Sequence, residues 1–192
     1  MSTRTMNQTY RLTCYGLMTA LAFVSNYIRF PFLGSQIAVS NAVCALCGLI
    51  LGPAAGFVTA GLGSLLYDLI AGYGLEGLIT FVSKGAVALV AALLAGKTLR
   101  KRALSGGDQT RLVVACAVAG LTYVALYMLK TFVLGLTVNG LTLEATGVKM
   151  ASKLPASLIN AAFAAVAAPL LINALHKPLH RLGVLQAEEP KS

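Results

Sequence analysis

The feature that most constrains this chain is a succession of apolar runs, each long enough or nearly long enough to cross the hydrocarbon layer of a bilayer, separated by short polar breaks. Bounded by charge or by Gly and Pro, they lie near Leu12 to Ile28, Ile37 to Leu51, Ala54 to Ile70, Leu78 to Leu94, Leu112 to Leu136 and Leu154 to Leu175. A soluble domain of 192 residues could bury one core, but it could not hide all of these runs. Composition agrees, with 57% hydrophobic and 11% charged residues, against roughly 45–50% and about 25% in ordinary soluble domains. The expected fold class is all-α integral membrane, a six-transmembrane-helix bundle that forms a single membrane domain over residues 1–192.

The breaks between runs carry topological information. Gly52-Pro53 stops one helix and presets the first turn of the next, so spans two and three form a tight hairpin. Gly96 to Arg111, with Lys97, Arg100, Lys101, Arg102, Ser105, Gly106, Gly107 and Asp108, reads as a mobile basic loop. A net charge of +9 would suit nucleic acid if the basic residues formed one solvated patch. They cluster instead at the ends of the spans, where they fix orientation and meet anionic lipid; no nucleic-acid partner is expected. With the N-terminus inside, the cytoplasmic side collects Arg4, Arg11, Lys97, Arg100, Lys101, Arg102, Arg111, Lys177, Arg181 and Lys191, against Arg29, Lys149 and Lys153 outside. That imbalance places both termini in the cytoplasm. Arg4 and Arg11 ahead of Ala20-Leu21-Ala22 could pass for a signal peptide, but the apolar run continues to Ile28 and reads as the first span.

Ionisable groups at membrane depth are functional candidates, because each costs several kcal/mol unless it faces a cavity or a partner. Here they are Asp68, Lys84 and Lys130, all in the outer half of their spans. Uncharged polar residues show the same bias: Ser25, Asn26 and Tyr27 in span one, Ser40 and Asn41 in span two, Ser157 and Asn160 in span six. Such a convergence describes a ligand pocket open to the exterior, capped by the Arg29 to Gln36 loop, with Asn26, Asn41, Asp68, Lys84, Lys130 and Asn160 as substrate-binding candidates. The blander reading is that a lysine snorkels to the interface and Asp68 pairs with one of them.

Small residues recur at helical spacing. Gly56, Ala60 and Ser64 in span three, widened by Gly61 and Gly63, read as an internal packing face. Gly16 and Ala20 in span one suit either internal packing or a partner surface. Several motifs are set aside. Ala91 to Thr98 matches the loose form of a phosphate-binding loop but ends a transmembrane helix, so no ATPase site is expected and Lys97 reads as a cytoplasmic anchor. Cys44 and Cys47 spell CxxC inside an apolar run, and Cys14 and Cys116 are likewise buried hydrophobes. His176 and His180 flank Pro178 in what reads as an interfacial basic tail. No catalytic set, metal site or cofactor is expected.

From about Ile37 to Lys97 the order of residues resembles the substrate-binding S components of energy-coupling factor (ECF) transporters, riboflavin-type group. The matching residues are Leu51-Gly52-Pro53 with Gly56, then Gly61, Gly63 and Ser64 with Asp68, Gly72-Tyr73, Thr80-Phe81 and Lys84-Gly85. The resemblance implies a multi-pass protein of a bacterial cell membrane that binds a water-soluble vitamin or precursor from outside. Candidates in that family are cobalamin, pyridoxine, hydroxymethylpyrimidine, riboflavin, pantothenate and thiamine. It also implies an ECF scaffold membrane subunit and two cytoplasmic ATPase subunits as partners, with delivery by toppling in the membrane and a scaffold contact at Gly16 and Ala20, where the family has an Ala-x-x-x-Ala face. The runner-up is a self-sufficient small secondary transporter or channel using Asp68 and the two lysines for ion coupling. An intramembrane enzyme has no residues to carry it.

Overall fold

The computed structural model describes residues 3–32, 35–74, 76–96, 98–100, 105–138, 140 and 142–181. Leu33, Gly34, Lys97, Lys101, Arg102 and Lys191, which figure in the loop and charge expectations, lie outside them. Six helices occur: α1 (Thr3–Ser25), α2 (Ser40–Leu51), α3 (Pro53–Ile70), α4 (Glu76–Ala95), α5 (Gly106–Thr137) and α6 (Leu143–Arg181). Between α1 and α2 stands an antiparallel hairpin of β1 (Arg29–Phe32) and β2 (Ser35–Ala38).

Four of the helices, α3 to α6, are long and apolar enough to cross a membrane. The six-span expectation is therefore met in helix number but not in length and hydropathy throughout. At 12 residues, α2 is only about 18 Å long. The polar stretch from Thr3 to Arg11 dilutes α1.

Four further expectations are corrected. The capping loop is a β-hairpin, with Phe30 opposite Ile37 and Pro31 opposite Gln36; Pro31 is tolerated because a two-stranded sheet has only edge strands. The basic linker is shorter than expected because α5 starts at Gly106. Ser105 accepts from the Asp108 backbone N–H, and its own N–H donates to the Asp108 carboxylate at 3.0 Å, a capping box that holds polar residues in the first turn. The last helix begins at Leu143, so Lys149 and Lys153 lie on a helix face and not in an outer loop. At the other end α6 carries His176, which is buried and not part of an interfacial tail.

The interior is rich in small residues, and most of the large apolar side chains face outward. Ala42, Cys44, Ala45, Cys47, Ala60, Ala88, Ala91, Ala115, Cys116, Ala119, Ala164 and Ala168 are fully buried, whereas Leu12, Leu17, Ile70, Leu93, Val166 and Leu170 are exposed. Lipid tails are as apolar as leucine, so helices gain little by hiding leucines and more by approaching closely. The closest approach is at α2, in which Ser40 to Ile50 are all buried. A Cβ on Gly48 would run into the Ala88 backbone of α4, and one on Gly56 of α3 would meet the Gly48 backbone. Between α3 and α4 the notches are reciprocal. The Phe81 ring fills the space beside Gly61, the Phe57 ring fills that beside Gly85, and the two rings meet edge to face with centroids 5.5 Å apart.

These notches predict that Gly48→Val forces backbone atoms apart and costs about 3 kcal/mol or more. A marked fall in the thermal unfolding midpoint of the detergent-solubilised protein checks it. Gly16→Val is the control, since a Cβ there meets nothing within 4 Å; an unchanged Gly48→Val midpoint would show that the helices have room to spare.

Candidate ligand-binding site

A cavity of about 340 Å³ lies at the end of the bundle that carries the hairpin. Its wall is built from every helix from α2 to α6, the turn after α1 and both strands. Helical period explains how single helices contribute several groups: Glu76, Thr80 and Lys84 follow at four-residue steps on α4, Tyr123, Tyr127 and Thr131 on α5, and Lys149, Lys153 and Ser157 on α6.

All six substrate-binding candidates read from the sequence, Asn26, Asn41, Asp68, Lys84, Lys130 and Asn160, line this cavity. Ser40 and Ser157 do so as well, while Ser25 and Tyr27 do not. The groups have different surroundings. Lys84 is 4% exposed; its Nζ donates to Ser40 Oγ at 2.7 Å and Asn41 Oδ1 at 2.5 Å, and it stands 4.7 Å from the centre of the Tyr123 ring. These partners are all neutral, so the ammonium is solvated by dipoles and a π face, with no carboxylate in hydrogen-bonding reach among the described residues. Because Lys84 requires the Asn41 oxygen on its side, the amide's orientation is fixed, and Asn41 Nδ2 is left buried with no partner among the described residues.

Lys130 forms an ion pair with Glu76 at 3.0 Å, linking α5 to α4. Asp68 is buried yet makes no side-chain hydrogen bond or ion pair among the described residues, so the Asp68–lysine pair considered from sequence is replaced by Glu76–Lys130. Asn26 donates to the Ala22 carbonyl at 2.7 Å and to Ser64 Oγ at 3.3 Å, pinning the turn after α1 to α3. Asn160 bonds to the hairpin: its Oδ1 accepts from Ala38 N–H at 2.7 Å and its Nδ2 donates to the Gln36 carbonyl at 2.9 Å. Both bonds continue the edge of β2 as another strand would, so Asn160 ties the hairpin across the cavity to α6. On the hairpin's other side Arg29 donates to Gln36 Oε1 at 3.2 Å and lies 4.3 Å from the Tyr67 ring centre.

Sequence reasoning missed Tyr123, Tyr127, Glu76, Lys149 and Lys153. The two tyrosines stack with centroids 5.7 Å apart and 15° between planes, and Lys153 Nζ lies 5.4 Å from the Tyr127 centre. Four-residue periodicity in phase with Lys130 and Asn160 was the available signal. Gly16 and Ala20 do not reach the cavity; they lie exposed on α1, apart from the α1 segment around Thr19 and Ala22 that packs on Gly63. The Gly56, Ala60 and Ser64 face is buried inside the bundle.

Comparison with known proteins matches this architecture. A search of curated protein sequences finds no match. A chain solved as the S component of a bacterial ECF transporter superposes with a TM-score of 0.64 over 90% of this chain and 98% of its own, at 18% identity, which establishes a shared fold. The family model described as "ECF-type riboflavin transporter, S component" matches residues 6–177. A helical membrane bundle with a polar cavity at one end, matched over nearly its whole length, thus belongs to the ECF-type riboflavin transporter S-component family.

Proposed function

We propose that the chain captures a water-soluble vitamin or vitamin precursor at the outer face of a bacterial cell membrane and delivers it inward through an ECF complex, with a scaffold membrane subunit and two cytoplasmic ATPases. The observation that carries this reading is the polar cavity itself. It holds hydrogen-bonding and ionic groups from five helices at one end of a bundle whose packed middle is alanine, cysteine and other apolar side chains, with Thr98, Asp108 and His176 buried toward the other end. Groups so placed are expensive in a membrane unless something binds them. The cavity end is opposite the end where Arg100 and Arg111 lie near the α4–α5 connection, and the positive-inside rule then turns the cavity outward and leaves both termini in the cytoplasm.

Size narrows the ligand. A cavity of about 340 Å³ falls at the low end for small-molecule sites, which suits riboflavin, pyridoxine, hydroxymethylpyrimidine, thiamine or pantothenate. The family description names riboflavin, a neutral member of this set.

Mass spectrometry of the purified protein should find a co-purifying vitamin. Uptake into liposomes should require the scaffold and ATPases, and uptake by the isolated chain would instead establish a self-sufficient transporter. Bulky replacements at Gly16 and Ala20 are expected to spare ligand binding but to impair complex-dependent transport, because that exposed small-residue face is the scaffold contact in this reading. Unimpaired transport would remove the face from the interface.

Lys84→Met is expected to weaken ligand binding roughly tenfold to a hundredfold, the loss of a hydrogen bond from a charged donor. Binding calorimetry together with the unfolding midpoint checks it. Unchanged affinity in a folded variant would make Lys84 a structural lysine.

A further inference from the structure

The charges around the cavity do not balance. Arg29, Lys84, Lys130, Lys149 and Lys153 line it against only Asp68 and Glu76. Glu76 is engaged by Lys130, and Arg29 is held by Gln36 and the Tyr67 ring. On α6, Lys149 and Lys153 stand one turn apart with no acidic partner among the described residues, and Lys153 faces the Tyr127 ring. At the other end of the stacked tyrosines, Lys84 donates hydrogen bonds only to neutral groups, with the Asp68 carboxylate acting on it at longer range, and the neighbouring Asn41 Nδ2 has no partner among the described residues. The N-terminus of α2, where Ser40 and Asn41 sit, adds a further partial positive charge on that side.

Uncompensated cations beside a membrane-embedded, low-dielectric cavity attract an anion much more strongly than the same cations would in water. Flat aromatic faces lined up between two cationic poles accept a flat ring. Resting on the reading of the chain as a vitamin-binding S component, we infer that its ligand is a planar-ring vitamin bearing a negatively charged group, with the ring along Tyr123 and Tyr127, the anion at Lys149 and Lys153, and a carbonyl or ring heteroatom at Lys84 and Asn41. Carboxylate and phosphate share this chemistry.

Matched pairs that differ in the anionic group separate the possibilities. Binding to the full chain in detergent is measured for riboflavin against its phosphate ester and for nicotinamide against nicotinate, alongside the charge of any co-purifying molecule. The acid member of at least one pair is expected to bind about tenfold or more tightly than its neutral partner. The pair in which this occurs tells phosphate from carboxylate. In the Lys149→Met/Lys153→Met double variant the acid advantage should disappear, and an unfolding midpoint equal to that of the unsubstituted protein shows that the variant is folded.

Neutral members that bind as well as the acids, or an acid advantage that survives in the double variant, would overturn the inference. So would a neutral or cationic co-purifying molecule, or the failure of every probe to bind with no anion recovered. A neutral vitamin that binds tightly and is taken up only with the scaffold and ATPases would overturn the anionic ligand alone and leave the S-component function standing. Uptake by the isolated chain would overturn that function as well.

Discussion

Close approach of helix backbones at α2 is the constraint on which the rest depends. Gly48 against Ala88 and Gly56 against Gly48 remove the side chains that would hold three helices apart. That contact seats a short helix in the middle of the bundle, buried from Ser40 to Ile50. Because α2 stops short of the hairpin end, its first turn becomes part of the cavity wall, and Ser40 and Asn41 meet Lys84 from α4. The same packing that makes one half of the bundle dense leaves the other half open. In a soluble protein such a void would tend to be filled by larger apolar side chains; here the large side chains face lipid, and the void keeps its polar lining.

Much of this was legible in the sequence because membrane depth penalises polar groups strongly enough to make each one informative. Asn26, Asn41, Asp68, Lys84, Lys130 and Asn160 come from six different stretches of chain and share one cavity. Gly52-Pro53 ended one helix and opened the next where expected, with Gly52 at φ 87°, a backbone conformation that favours glycine. What the sequence hid follows from weaker signals. The hairpin is four residues a strand, too short for periodicity to distinguish from a loop. Lys149 and Lys153 look like interface anchors until α6 is known to begin at Leu143. Tyr123 and Tyr127 sit in a run so apolar that two tyrosines read as bulk.

The hairpin gives the cavity a wall that helices alone do not supply. A β edge exposes unpaired N–H and C=O groups, and at membrane depth such groups need partners. The Asn160 side chain provides both a donor and an acceptor to β2. An asparagine read from sequence as a ligand contact therefore also has a structural task. Its remaining amide hydrogen and lone pair are what it has left to offer the cavity.

Charge and shape in the cavity then act together. The dense half fixes Lys84 by hydrogen bonds to neutral groups, with Asp68 only at longer range, whereas Lys130 is in direct contact with Glu76. The two stacked tyrosines carry an aromatic surface from the Lys84 pole toward Lys153. A ligand that fills this space is oriented by the pole its charged group meets, the Lys149 and Lys153 pair at one end of the tyrosines or the single Lys84 at the other. Orientation of that kind distinguishes molecules of equal size by where their charge lies, with no change in the packed half of the bundle.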